Sequence, residues 1–183
     1  MAKVRESDII EGVFHVEPAS FGDERGRFTE TYRRSMIPNA REVIQQNKSE
    51  KAQGAIVGLH YHLHQSDYWF VSNGTARVVL HDLRQGSKSD GKTICIDLKG
   101  ETAQGLYIPP GVAHGFASIT DMTLFYLVDN YYNPDDELGV AWDDPEIGAD
   151  WGINDPVLSA RDRANPKRSE LPANRQPSGI LRG

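Results

Sequence analysis

Nine short runs of alternating or β-branched residues, at 12–17, 27–32, 55–61, 68–72, 76–82, 93–98, 105–108, 114–118 and 123–128, are set off from one another by Gly, Pro, Asn and Asp. A chain interrupted this often has no room for long helices, and only 38–45 offers a weak helical candidate. The spacing therefore predicts an all-β domain. Asn73-Gly74 lies between two apolar runs and predicts a hairpin, because both residues tolerate positive φ. Asp90-Gly91 and Lys99-Gly100 mark further reversals. Strands at this interval leave a sandwich, a jelly roll or a barrel. No internal repeat is visible.

A length of 183 residues suits one hydrophobic core. We expect a single domain over 1–166 and an extended C-terminal tail over 167–183, since 165–183 holds three Pro and two Gly. The 38% hydrophobic and 25% charged residues argue against general disorder. No apolar run approaches the roughly 18 residues of a membrane-spanning helix, and the charged opening MAKVRESDII lacks a leader's apolar stretch. A cytoplasmic protein without membrane contact is expected. The single cysteine, Cys95, excludes an intrachain disulfide and a multi-thiolate metal site. The net charge of −6 is uneven, because 161–183 carries six basic residues against two acidic ones and leaves the body more acidic still. Such a body does not suit nucleic acid. An anionic substrate would need local cations, which draws attention to Arg25, Arg27, Arg33 and Arg34.

Three of the six histidines, His60, His62 and His64, occupy alternate positions in GLHYHLHQSDYWFVSNG. Residues two apart on a strand share a face, so a regular strand would aim all three imidazoles one way. Packing explains one such histidine easily and three poorly, because each brings nitrogens that need partners. Downstream, the turn in PPGVAHGF delivers His114 at a strand start.

The two segments resemble the paired motifs of the cupin superfamily. The spacing His60-x-His62, Asp67, Gly74 fits the first motif with Asp in place of Glu, Gly54 fits upstream, and Pro109-x-Gly111-x-x-His114 fits the second. The resemblance implies a cupin-type double-stranded jelly roll with short helical segments and a site in its mouth. Nearly the whole chain is similar to the dTDP-4-dehydrorhamnose 3,5-epimerase family. The similar stretches are FGDERGRFTE, QQN, GLHY, VVLHDLRQGSKSDGK, YIPPGVAHGF, FYLVDNYYNPDDELGVAWDDPEIGADW and VLSARD.

This resemblance implies an isomerase that inverts C3, C5 or both in a 4-keto-6-deoxyhexose carried on a nucleotide, without a cofactor. Removing a proton beside a ketone and returning one on the other face requires a base, an acid and a means of stabilising the enolate. His60 and Asp162 match the family's base dyad, Tyr126 its acid and Tyr131 its ring-stacking neighbour. Arg25 matches a phosphate contact, apt for a guanidinium fork. Phe28, Glu30, Gln45 and Asn47 match nucleotide contacts, and His114 would lie near the sugar. His62, His64 and Asp67 join this binding set. The family shares these contacts across a homodimer that exchanges an N-terminal strand. Asp82 and Arg84 match a further signature, for which a structural pair at a strand end is an equal reading.

Two departures stand out. Val57 occupies the place of a phosphate-binding arginine, and Asp67 the place of a lysine that stabilises the enolate oxygen. A carboxylate there repels an oxyanion by on the order of several kcal/mol, so a histidine charged by Asp67, His62 or His64, is the expected substitute. The same residues leave a metal-dependent cupin open, either a sugar isomerase or a dioxygenase, with His60, His62, Asp67 and His114 as ligands. A non-catalytic sugar-binding cupin is also open. The expectation is no metal, because ligation would occupy the lone pair that His60 needs as a base.

Overall fold

Strands apolar on both faces must be covered on both faces, and this chain satisfies that demand with two facing sheets and an outer layer over each. The computed structural model describes residues 1–179. In chain order the strands are β1 (Lys3–Glu6), β2 (Phe14–Glu17), β3 (Ala19–Asp23), β4 (Gly26–Glu30), β5 (Gln45–Lys51), β6 (Ile56–Tyr61), β7 (Asp67–Asn73), β8 (Thr75–Asp82), β9 (Thr93–Lys99), β10 (Gly105–Ile108), β11 (Val112–Ser118), β12 (Met122–Val128) and β13 (Leu138–Gly139). One helical turn, α1 (Ala160–Arg163), and three 3-10 turns complete the described residues. No helix among them is long and apolar enough to cross a membrane.

The strands form a six-stranded sheet in the order β1-β2-β10-β7-β12-β5, a five-stranded sheet in the order β13-β6-β11-β8-β9, and a separate β3-β4 hairpin. Every pairing is antiparallel. Between the two large sheets, Trp69, Val71, Leu106 and Leu124 of the first meet Val78, Leu80, Leu98, Val112 and Phe116 of the second. Leu59, Tyr61, Val79, Ala113 and Ala117 face outward from the second sheet under Leu138, Ile147, Trp151 and Leu171. Tyr68, Phe70 and Leu127 do the same on the first sheet, under Ile37 and Tyr32. This is the all-β, cupin-type jelly roll that the motifs implied.

Two local expectations fail for physical reasons. Asn73-Gly74 does not close a hairpin: β7 pairs with β10 and β12, whereas β8 pairs with β11 and β9, so the chain crosses there from one sheet to the other. Gly74 is needed at φ 76 because a Cβ would lie 2.1 Å from the Asp121 carbonyl oxygen. Residues 38–45 form no helix. The one 3-10 turn of this region lies earlier, at Arg34–Met36, and Gln45 already begins β5. Pro38 removes a helical donor, and Asn39 takes a left-handed φ of 58. The strand β5 escaped notice because QQNKSEK is polar on both faces, yet its alternate residues turn inward.

Of the expected extended tail, 180–183 lies outside the described residues, and 167–179 carries two 3-10 turns, Arg168–Glu170 and Ala173–Arg175, and lies against the body. Leu171 is buried, Tyr61 Oη donates to the Arg175 carbonyl at 3.0 Å, and Gln85 bridges to Ser178. Nearby, Asp82 and Arg84 are both buried and form a structural hub. Asp82 accepts from Arg84 Nε (2.8 Å), from Ser87 Oγ (2.7 Å) and from Ser89 Oγ (2.6 Å), while Arg84 also donates to the Glu11 carbonyl at 2.7 Å. Burial alone would raise the Asp82 carboxyl, but its bonds from Arg84, Ser89 and Ser87 outweigh that and hold it below the usual carboxylate range. Removing one partner of such a pair strands a buried charge. Asp82→Asn should therefore cost about 3–5 kcal/mol in urea denaturation, and a loss under about 1 kcal/mol would show the hub to be dispensable.

Candidate active site

The space between the large sheets is apolar at one end and polar at the other. His60 comes from β6, which pairs antiparallel with β11 so that His114 and His60 are register partners, next to a register shift. Gly58 permits that close approach. A Cβ on it would lie 2.7 Å from Gly115 Cα and 2.8 Å from the His114 carbonyl oxygen.

His60 Nε2 lies 2.6 Å from Asp162 Oδ1, joining residues 102 apart in sequence. Asp162 sits on α1, whose start is capped by Ser159: the Asp162 amide donates to Ser159 Oγ at 3.0 Å. Burial alone would raise the Asp162 carboxyl, but the bond from His60, the His60 charge, Ser159 and the Gly58 amide together hold it below its ordinary value. A carboxylate only accepts, so the shared proton belongs on Nε2 and the His60 Nδ1 lone pair is left free.

The expectation that His60, His62 and His64 share a strand face is corrected. β6 stops at Tyr61 because the Asp136 carboxylate captures the next amides, from Leu63 at 2.6 Å and from His64 at 3.1 Å. His64 is consequently exposed, and its carbonyl accepts from Arg41 and Asn130. His62 turns inward, with Nδ1 2.7 Å from the Asp136 carbonyl. Its ring lies 5.4 Å from that of His114, which meets Trp69 edge-on at 5.2 Å. Burial pushes His114 down to about 4, partly opposed by Asp67.

Asp67, at the start of β7, is also buried. Gln65 Nε2 donates to Oδ1 and Trp69 Nε1 to Oδ2, both at 2.9 Å, and the Nε2 atoms of His62 and His114 stand 4.0 Å from Oδ1 and Oδ2 respectively. The carboxylate thus faces both histidines and hydrogen-bonds neither. His62, Asp67 and His114 offer ligand atoms within 4.8 Å of one another. His60, the fourth ligand of the metal alternative, is engaged by Asp162 instead.

Tyr126 of β12 is register partner to Asn47 on one side and Trp69 on the other, which turns its ring toward the same interior. Burial raises its hydroxyl above the ordinary value, and the Asp67 and Glu137 carboxylates add to that. Gln45 and Asn47 share the inward face of β5, bonded Nε2 to Oδ1 at 3.0 Å. Val57 packs against the core and supplies no cation. Arg25, Phe28 and Glu30 stand on the β3-β4 hairpin. Among the described residues their polar contacts stay local: Arg25 pairs with Asp23 at 3.1 Å and Glu30 with Arg33, while Phe28 is 70% exposed. Tyr131 is likewise exposed.

Sequence reasoning missed Glu137, whose Oε1 lies 3.8 Å from His62 Nδ1 and whose Oε2 pairs with Arg161 at 3.3 Å. It also missed Asp129, which holds the loop after His62 by accepting from Arg41 Nε and the Ser66 amide, each at 2.9 Å. In NPDDELG and VDNYY these acids read as ordinary turn residues, and no pattern in the sequence separates them from solvent-facing ones.

Chemically, the site combines an oriented imidazole with a free lone pair, a tyrosine kept protonated and a buried carboxylate between two further imidazoles. Residues 7–170 match the family model of dTDP-4-dehydrorhamnose 3,5-epimerase. A dTDP-4-dehydrorhamnose 3,5-epimerase of Shigella flexneri is 35% identical over 161 residues, 84% of this chain and 89% of that protein. The crystal structure of NovW, a 4-keto-6-deoxy sugar epimerase from the novobiocin gene cluster of Streptomyces spheroides, superposes with a TM-score of 0.92 at 31% identity, covering 97% of this chain and 94% of that one. The epimerase RmlC of Legionella pneumophila Philadelphia 1, in complex with dTDP-4-keto-L-rhamnose, has a TM-score of 0.91 at 29% identity, covering 97% and 98%.

Because the folded Asp162 carboxyl titrates below its unfolded value of about 3.9, its pairing stabilises the fold above that pH and fades as pH falls through the folded value. Asp162→Asn should therefore lower denaturant resistance more at pH 7 than at pH 3. An equal deficit at both would mean that His60 does not draw on this charge.

Proposed function

From the premise that the chain belongs to the dTDP-4-dehydrorhamnose 3,5-epimerase family, we propose that His60 is its base, Asp162 the group that orients and charges that base, and Tyr126 its acid. The chain is a nucleotide-sugar epimerase, an isomerase acting at C3, C5 or both of a 4-keto-6-deoxyhexose. His60 Nδ1 takes the proton from the carbon beside the C4 ketone, and the C–H electrons pass into the carbonyl to give an enolate. Asp162 stabilises the imidazolium so formed. Tyr126 returns a proton to the carbon from the other face, and solvent resets both groups. The observation that carries this reading is the 2.6 Å His60–Asp162 pair, which leaves one imidazole nitrogen bare for proton transfer.

Incubation of a dTDP-4-keto-6-deoxyhexose with the wild-type chain in D2O should place deuterium at C3, at C5 or at both. His60→Asn and Tyr126→Phe should each slow this by about 10²- to 10⁴-fold with an unchanged circular dichroism spectrum. Absence of exchange in the wild type would sink the assignment for that substrate.

The nucleotide half of the site belongs, on this reading, to a cytoplasmic homodimer. Arg25, Phe28 and Glu30 would reach the partner's sugar site, where Gln45, Asn47, His114 and Tyr131 line the path. In support, the β3-β4 hairpin joins neither large sheet and leaves Phe21 and Phe28, 62% and 70% exposed, without apolar cover in one chain. Two bare aromatics on a free-standing hairpin fit a second copy. Light scattering should give twice the chain mass, and Phe21→Ser with Phe28→Ser should shift it toward the monomer. A monomeric wild type would overturn the shared site.

A further inference from the structure

We propose that the C-terminal segment 171–179 is a strap that holds β6 in place against Asp162, and that Tyr61 is the positioning residue through which it acts on His60. The inference rests on the reading of His60 as the base. Support for β6 is thin where it carries that residue. On one side its ladder to β11 shifts register between His114 and Phe116. On the other side it has β13, two residues long, which pairs with Tyr61 and His60. Past Tyr61 the amides of Leu63 and His64 turn to the Asp136 carboxylate. A hydrogen bond of 2.6 Å between His60 and Asp162 tolerates little drift of the strand that carries it.

Tyr61 alternates with its neighbours and points away from the site, among Leu138 and Leu171. It is 0% exposed, and burial pushes its hydroxyl up to about 12, which keeps it a donor. Among the described residues its acceptor is the Arg175 carbonyl, at 3.0 Å. The backbone around that carbonyl is fixed on both sides. Leu171 is buried, and its carbonyl accepts from Gln176 Nε2 at 2.7 Å. The Pro177 carbonyl accepts from the Gln85 amide at 2.9 Å, and the Gly179 amide donates to the Gln85 carbonyl at 2.7 Å. A second contact reaches the residue after Tyr61. A Cβ on Gly111 would lie 2.8 Å from Pro177 Cβ, and the Gly111 amide donates to the His62 carbonyl at 2.7 Å. The strap thus grips this stretch of chain twice, at Tyr61 directly and at His62 through Gly111.

Both grips lie behind the sheet, so they bear on where His60 points and not on what binds in front of it. Misplacing a catalytic group by about 1 Å costs on the order of 10²-fold in rate. Loss of the Tyr61 bond therefore slows proton abstraction and leaves affinity for the sugar nucleotide in place. The strap begins where the match to the family model, at residue 170, stops.

Tyr61→Phe keeps the ring and removes the hydroxyl. In the full chain it should lower kcat for deuterium exchange into a dTDP-4-keto-6-deoxyhexose by about 10-fold, with KM unchanged. In the substrate-free protein the downfield proton resonance of the short His60–Asp162 bond should broaden or move upfield. Pro177→Gly, which loosens the strap on Gly111, should change both readouts in the same direction, and it serves if Tyr61→Phe fails to fold. Thr93→Val is the control: its bonds go to Ile147 and His81, so it should lower the melting temperature and leave kcat and the resonance as they are. If Tyr61→Phe and Pro177→Gly melt lower yet keep both, the strap is a structural clamp and its positioning role is overturned. If the wild type exchanges no deuterium, the epimerase reading fails for that substrate and the resonance alone decides the strap, its change in Tyr61→Phe upholding it and its persistence sinking it.

Discussion

The dry interior shared by the two large sheets governs what the rest of this protein can be. Its strands are covered on both faces, so a polar side chain that turns inward has no water to fall back on and must find its partner in the protein. At one end Leu80, Leu98, Val112 and Phe116 remove that problem by being apolar. At the other end His60, His62, Asp67 and His114 create it, and each answer is a named contact: Asp162 for His60, Asp136 for His62, Val112 for His114, Gln65 and Trp69 for Asp67. The loops outside the sheets are shaped by the same demand, since backbone amides of the 63–66 segment fill the buried carboxylates of Asp136 and, together with Arg41 and the Ser66 hydroxyl, Asp129.

That demand also explains what could be read from the sequence. Every one of the nine predicted runs contains a strand, because alternation and β-branching report a pleated surface with at least one dry face. The signal fails where the inward face is polar. β5 turns Gln45, Asn47 and Ser49 inward, so its pattern looked like solvent-exposed sequence and the helical candidate at 38–45 was drawn over its first residue. Asn73-Gly74 names a tight reversal but not the partner: β7 pairs with β10 and β12, and β8 with β11 and β9, so the turn passes the chain between sheets. The His-x-His-x-His pattern was legible as a site and illegible in its third member, because Asp136, 72 residues away, ends the strand before His64. Asp162 is the opposite case, a partner 102 residues distant that resemblance alone could nominate.

The departures at positions 57 and 67 are linked by charge. With valine and aspartate where the family uses arginine and lysine, the inner site loses two cations, one of them replaced by an anion. Asp67 is nevertheless held in place by donors on both oxygens instead of being turned away. Among the described residues no lysine or arginine pairs with Asp67, although an enolate formed nearby would need a positive charge.

The division of work among the imidazoles follows from which nitrogen is tied, and to what. His60 is tied through Nε2 to a carboxylate, an arrangement that strengthens its other nitrogen as a proton acceptor because the resulting cation is met by Asp162. His62 and His114 are tied through Nδ1 to carbonyls, which orient each ring without offering a full negative charge to a protonated one. Burial then works against protonation of His114, so its Nε2 keeps a lone pair. The three histidines are thereby distinguished by their hydrogen-bond partners: His60 is tied through Nε2 to a carboxylate, His62 and His114 through Nδ1 to carbonyls. The partners, in turn, are set by where β6 ends: His60 is its last inward residue and keeps the strand's approach to α1, while His62 falls past the break and takes the direction that Asp136 imposes.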